Sequence, residues 1–323
     1  MSMEFGVFVP QGWRMDLTGI EDPVEQYAAM TNVAKEADKG PWDAIWVYDH
    51  FHTVPEPTMN TTFESWTISA TLARDTERVK IGQMVNCNGY RQPSLFAKIA
   101  STVDVASGGR LYAGFGAGWY EHEWLAYGYG FPETKERMAR FREGTEIIHK
   151  MWTEDYPTYE GKYYTIDGPI NEPKSHKKGY KIPLWIGGGG PQVTLKLVAQ
   201  YGDACNIGGD VAVEKLEILK GHCDKVGRNY DEIVKSSSLH NFVIPNGADP
   251  VKETAAVRKQ YGDISLESFS DTFGKVMEVD ELVERIGKMK ADGIEYLINY
   301  IPGLAYDLAP MKLYESEVIT AFR

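Results

Sequence analysis

Residues 44–48 (Ala-Ile-Trp-Val-Tyr) form an unbroken apolar run that stops abruptly at Asp49, His50 and His52. A run of strand length that is apolar at every position predicts a strand buried on both faces. Similar runs recur along the chain, separated by helical periods. Glu4–Val9 reads as the first strand, ended by Pro10-Gln11-Gly12, and Pro23 opens a helix to about Lys39, in the first-turn position that proline favours. Ala44–Tyr48 is the second strand, Thr62–Arg74 a helix and Val79–Asn86 the third strand. Pro93 opens a helix stopped by Gly108-Gly109. Arg110–Phe115, the fourth strand, runs into Gly116-Ala117-Gly118. A long charged helix follows Pro132 to about Trp152. Strand five, Pro183–Ile186, meets four glycines (Gly187 to Gly190) and a helix opened by Pro191. Strand six is Asp203–Ile207, strand seven lies within Val234–Ile244, and strand eight is Ile294–Tyr300. A helix over Val279–Ala291 precedes strand eight, and another begins after Leu308.

Eight strand–helix alternations without a linker-like break predict an α/β chain folded as a (β/α)8 TIM barrel, one domain over residues 1–323. A doubly wound sheet is the competing architecture, but it rarely needs eight such regular units. The pattern lapses between strands four and five. There Thr153–Lys181 reads as an inserted loop region with a short hairpin near Glu160-Gly161-Lys162. Asp249–Gly274 is ambiguous, helical at first and then polar. In a barrel all strand C-termini face one mouth, where the chemistry collects. That gathers Gln11 and Trp13; Asp49, His50 and His52; 86–91; 116–123; 187–192; and Asn299 with Tyr300.

A net charge of -12 argues against nucleic acid or an anionic membrane as partner, so any anionic ligand must be held by local groups. No apolar run approaches the ~18 residues of a membrane span. The N-terminus leads straight into a strand with no signal-like segment. The three cysteines, Cys87, Cys205 and Cys223, show neither a paired nor a zinc-like spacing. A reduced cytoplasm is the expected setting.

Asp49 and His50 at a strand tip read as a proton-handling pair. His50-Phe51-His52 also admits a metal-hydrolase reading, because an HxH at a barrel strand end can start a zinc-type site. The later tips offer mostly glycine and asparagine, not the missing ligands, so no metal is expected. Gly187–Gly190 before Pro191 leaves backbone N–H groups unobstructed beside a helix N-terminus, an arrangement that cradles phosphate. Gly114-x-Gly116-x-Gly118 lacks the spacing of a dinucleotide fingerprint and reads as close packing around a planar ring. Lys174, Lys177, Lys178 and Lys181 form a basic loop, either solvated or a clamp for an anionic tail. Trp13, Trp119 and Tyr120 lie in tip loops and can wall an apolar substrate pocket. Taken alone, the residues point to a phosphate-bearing cofactor and hydride-type chemistry on a small molecule.

The segments Val9–Leu17, Trp46–Phe51, Asn88–Trp124 and Ile186–Asn206 together resemble the bacterial luciferase-like superfamily, in its branch that uses the deazaflavin coenzyme F420. The resemblance implies a deazaflavin across the barrel mouth, with its phosphate near Gly189, Gly190, Gln192 and Val193. It assigns Asp49 and Cys87 to cofactor contact, and His50 to the side of the reactive carbon. It also implies a non-proline cis peptide on the third strand, at Met84–Val85, backing the ring. Sugar-phosphate dehydrogenases of that branch carry glutamate where this chain has Trp119 and asparagine where it has His122, a cofactor-side position. Glucose-6-phosphate is therefore doubtful as substrate. Glu121, placed beside the substrate pocket, His122 and Glu123 stay open as acid/base candidates. The implied activity is hydride transfer between deazaflavin C5 and an activated C=C or C=N bond, or the reverse oxidation. An FMN-dependent, oxygen-using monooxygenase is the alternative within the superfamily. A non-catalytic cofactor-binding relative and the metal hydrolase are the alternatives from other classes. Relatives are commonly dimers, so a homodimer is implied.

Overall fold

The computed structural model describes residues 2–323. Eight parallel strands close into a barrel: β1 (Glu4–Phe8), β2 (Ala44–Val47), β3 (Lys80–Gln83), β4 (Leu111–Gly116), β5 (Leu184–Gly187), β6 (Ala204–Asn206), β7 (Val234–Ile244) and β8 (Tyr296–Tyr300). Each pairs with the next, and β8 returns to β1 with Glu4 opposite Tyr296. Closure leaves no unpaired barrel edge, and the intervening helices cover the outside.

Because a strand's side chains alternate, each apolar run serves two cores. Ala44 and Trp46 of β2 point into the barrel, while Ile45 and Val47 join the layer beneath the helices. The interior is a stack of rings, Trp46 meeting Trp185 at 4.8 Å and Tyr296 at 6.1 Å in edge-to-face fashion. Truncating a core aromatic of this kind typically costs about 3–5 kcal/mol. Trp46 fits because its neighbours are glycine. Gly82 lies directly opposite it on β3 and Gly6 nearby on β1, and a Cβ at either would overlap the indole.

Several departures from the sequence pattern bear on the mouth. The third strand does not run on to Asn86. It ends at Gln83, the Met84–Val85 peptide is cis, and Asn86–Cys87 then pairs only with β4. After β5 the helix begins at Thr194, not at Pro191, because 191–193 form a turn whose Gly190 carbonyl accepts from Leu195 N–H. A six-residue helix, Glu121–Ala126, follows the tip of β4, in a stretch to which the sequence pattern assigns no element. An added strand, Lys275–Glu278, pairs with the outer half of β7 after three short helices, Pro250–Glu253, Ala255–Gln260 and Leu266–Thr272. Between β4 and β5 lie the helix Thr134–Thr153 and an antiparallel hairpin of Thr158–Glu160 with Thr165–Asp167. No described helix is long and apolar enough to cross a membrane.

Candidate active site

The mouth holds a cavity of about 680 Å³, lined from nearly every strand tip. Asp49, at the end of β2, lies on its wall and is 2 % exposed. Its carboxylate is fully engaged. Arg91 donates two hydrogen bonds to it at 2.7 and 2.9 Å, and the Cys87 N–H donates a third at 2.8 Å. Arg91 also reaches Glu64, which caps the helix Ser65–Asp75 by accepting from the N–H groups of Trp66 and Thr67. Burial works against the Arg91 charge, but Asp49 and Glu64 outweigh it and keep the guanidinium protonated. Asp49 therefore ties the β2 tip to the bulge after β3. It is not the proton partner of His50, which corrects the Asp–His pairing expected from the sequence.

That partner is Glu123. Its carboxylate is wholly buried and accepts four hydrogen bonds. They come from His50 Nδ1 at 2.8 Å, Tyr90 Oη at 2.7 Å, and the N–H groups of Phe51 and His52 at 2.8 Å each. Burial alone would raise the Glu123 carboxyl, but the bonds from His50, His52 and Tyr90 prevail and hold it below the ordinary carboxylate range. An ionised Glu123 accepts a hydrogen bond from His50 Nδ1–H and so holds the proton on that nitrogen, which leaves Nε2 without a partner among the described residues on a ring that lines the cavity. The imidazole is stacked on Trp13 at 4.2 Å with the planes 3° apart, and is flanked edge-on by Trp119 and Tyr120. One nitrogen is fixed, the ring plane is fixed, and the other nitrogen is presented. This is the geometry of a general acid or base.

The Met84–Val85 bulge also borders the cavity. Val85 seats between the tips of β4 and β5, where a Cβ on Gly116 or Gly187 would come within 2.6 or 2.8 Å of its methyl groups. The spaced glycines at 114–118 thus pack around the bulge, and only through it around any ring it backs. Gly190, Pro191, Gln192, Val193 and Thr194 form another wall. No described backbone group accepts from the N–H groups of Gly190, Gln192 or Val193. These idle donors and the bulge suit a flat, phosphate-bearing cofactor. Cys87 lines the cavity, but burial pushes its thiol up, so it is a packing surface and not a nucleophile.

A profile of the luciferase-like monooxygenase family matches residues 3–291. The chain belongs to that family. Among its relatives, an F420-dependent glucose-6-phosphate dehydrogenase of Kineococcus radiotolerans is 31% identical over 57% of this chain, a match spanning 54% of that protein's length. A protein of the same name from Segniliparus rotundus is 27% identical over 83% of this chain and 86% of its own. In fold, the chain superposes with a TM-score of 0.78 on an F420-dependent secondary alcohol dehydrogenase in complex with an F420–acetone adduct, at 19% identity and full coverage of both chains.

On this luciferase-like barrel the other expected site residues divide. Trp13, Trp119 and Tyr120 line the cavity, with Trp119 60% exposed at the rim. Three residues do not face it. His122 turns outward against His52, with 3.1 Å between their Nδ1 atoms, and Glu121 borders a separate surface cleft. Gly189 lies against the aliphatic stem of Lys215. His50 and His52 have different partners, so the two imidazoles do not converge as metal ligands. The basic loop is on the wrong side of the molecule. It leads into the start of β5, opposite the mouth, and Lys174 and Lys181 are paired with Asp155, Glu172 and Asp203. Residues passed over in the sequence also line the mouth. Tyr48 and His240 face each other at 3.4 Å, and burial lowers the His240 imidazole to about 4. His240 had one signal, a histidine inside an otherwise serine-rich and apolar strand.

Proposed function

We propose that this protein is an F420-dependent oxidoreductase acting on a small, uncharged organic substrate. The observation that carries the reading is His50, oriented by Glu123 and Trp13 with Nε2 open to a cavity that also holds the bulge and the idle N–H donors. Gly190, Gln192 and Val193 hold the cofactor phosphate through their backbone, while Met84, Val85 and Cys87 support the ring. Bound there, a deazaflavin supplies or accepts hydride at its C5. His50 Nε2 gives or takes the accompanying proton at the substrate atom next to the reacting carbon, and Trp13 and Glu123 keep it aimed there. The aromatic rim of Trp13, Trp119 and Tyr120 orients the substrate and excludes water.

The substrate class follows from the lining. No lysine or arginine is among the cavity residues, so a sugar phosphate would find no cation there. The apolar rim suits an enone, an imine, or an alcohol–ketone pair. The working unit is a homodimer in the cytoplasm, a setting supported by three free, buried thiols.

The test is a titration with F420 and FMN in both redox states, followed by an anaerobic substrate screen with wild type and His50→Asn. The expected outcome is micromolar F420 binding with FMN much weaker, and a His50→Asn variant that binds F420 normally but loses about 10²–10⁴ in kcat. Preference for FMN with oxygen-dependent turnover would move the activity to monooxygenation. Unchanged kcat in the variant would remove His50 from proton transfer.

A further inference from the structure

Helix Thr134–Thr153 lines the main cavity with Thr134 and Met138. At the same four-residue spacing, and so along the same face, come Arg142 and Glu146. These two border a second, narrower cleft of about 190 Å³, whose other wall carries Gln192, Val193, Lys196 and Gln200. Gln192 and Val193 line both spaces, so the cleft begins where the idle N–H donors end. Arg140 and Lys150 on the same helix are paired with Glu136 and Glu154. Arg142 and Lys196 are exposed, and no ion pair engages either among the described residues. In a chain of net charge -12, two uncommitted cations beside an anion cradle call for an anionic ligand.

We propose that this cleft holds the carboxylate-bearing tail of the cofactor, an inference that rests on the deazaflavin reading above. Coenzyme F420 continues beyond its phosphate into γ-linked glutamates, each with a free carboxylate. With the phosphate on Gly190–Val193, the first glutamates leave along the cleft between Arg142 and Lys196. Glu146 closes the far end with the opposite sign, so the cleft takes one or two carboxylates and turns a longer tail out to solvent.

The test is fluorescence titration of three ligands: the bare deazaflavin riboside, the phosphate form without glutamate, and F420 with two or more glutamates. Wild type is compared with the Arg142→Ser/Lys196→Ser double variant at low and at physiological salt. In wild type, the glutamates should tighten binding about three- to tenfold at low salt, the scale of exposed charge pairs, and less as salt rises. The double variant should lose that gain while binding the glutamate-free phosphate form as wild type does, which also shows that it is folded. Equal affinity of wild type for tailed and tail-free forms would overturn the proposal, as would a gain that survives in the double variant. If none of the three ligands binds, the deazaflavin reading itself fails and the tail site fails with it. If the phosphate form binds and the tail adds nothing, only the tail site fails.

Discussion

Glu123 draws four donors onto one buried carboxylate, and the tautomer of His50 depends on it. A glutamine there keeps the shape but turns an N–H toward Nδ1, so neutral His50 must move its proton to Nε2 and can no longer accept one from the substrate. Glu123→Gln is therefore expected to lower kcat about 10²-fold in the direction that needs a base, with F420 affinity unchanged. Glu123→Ala should in addition lose about 2–4 kcal/mol of stability, because buried donors are left unpaired. The pH dependence follows from the depressed carboxyl. Its folded value lies below the unfolded one near 4.5, so its contribution is complete above that pH and is lost as pH falls through the folded value. Urea unfolding of wild type and Glu123→Gln should show a stability gap at pH 7 that narrows below about pH 4.5. A gap of constant size down to pH 3 would mean that the carboxylate charge is not what stabilises the knot.

Gly116 and Gly187 make the β4 and β5 tips bare enough for Val85 to sit between them, and this seat sets how far the bulge stands into the cavity. Gly187 has no left-handed backbone requirement, so an alanine there acts through space alone. Gly187→Ala should cost about 1–3 kcal/mol in stability and weaken F420 binding at least about tenfold, with the far-ultraviolet dichroism of the barrel retained. Gly221→Ala is the control, since nothing lies within 4 Å of a Cβ at that helical position, and it should leave binding unchanged. Such contacts divide what was legible in the sequence from what was not. Most strands were readable because parallel strands buried on both faces are largely apolar, with the serine-rich β7 as the exception, and the tip residues follow from where those runs stop. The cis bulge was expected from family resemblance, not from any period. Glu123 was not separable from Glu121 and His122, because a six-residue helix is too short to show which side faces inward. Nor does a sequence show that Arg91, 42 positions away, has already claimed Asp49. The basic loop could be read as solvated or as a clamp, because spacing does not say which end of a barrel it lies on.

On the flank beside helix Pro93–Ser107, the molecule presents Leu95, Tyr127 and Tyr129 at 51%, 52% and 42% exposure around a groove of about 650 Å³. The groove is lined by Phe51, Ile99 and Val103 together with the charged Glu64, Arg91 and Lys98, so apolar surface edged by polar groups lies open here, the kind that marks an interface. A second copy is the occupant this surface suits, since a two-fold axis needs a single self-complementary patch and like net charges elsewhere then face solvent. Tyr90 lines both this groove and the main cavity, and it donates to Glu123. An interface here would thus press directly on the residue that steadies the His50 partner. Light scattering should accordingly give twice the chain mass of 36.3 kDa. Leu95→Glu, placing a charge in the groove, should shift the protein toward monomer at micromolar concentration. Because Tyr90 then loses its outer packing, kcat should fall severalfold as the dimer dissociates while F420 affinity changes less. A monomeric wild type would rule out the interface. A monomeric Leu95→Glu with full kcat would keep the interface but cut its link through Tyr90 to the active site.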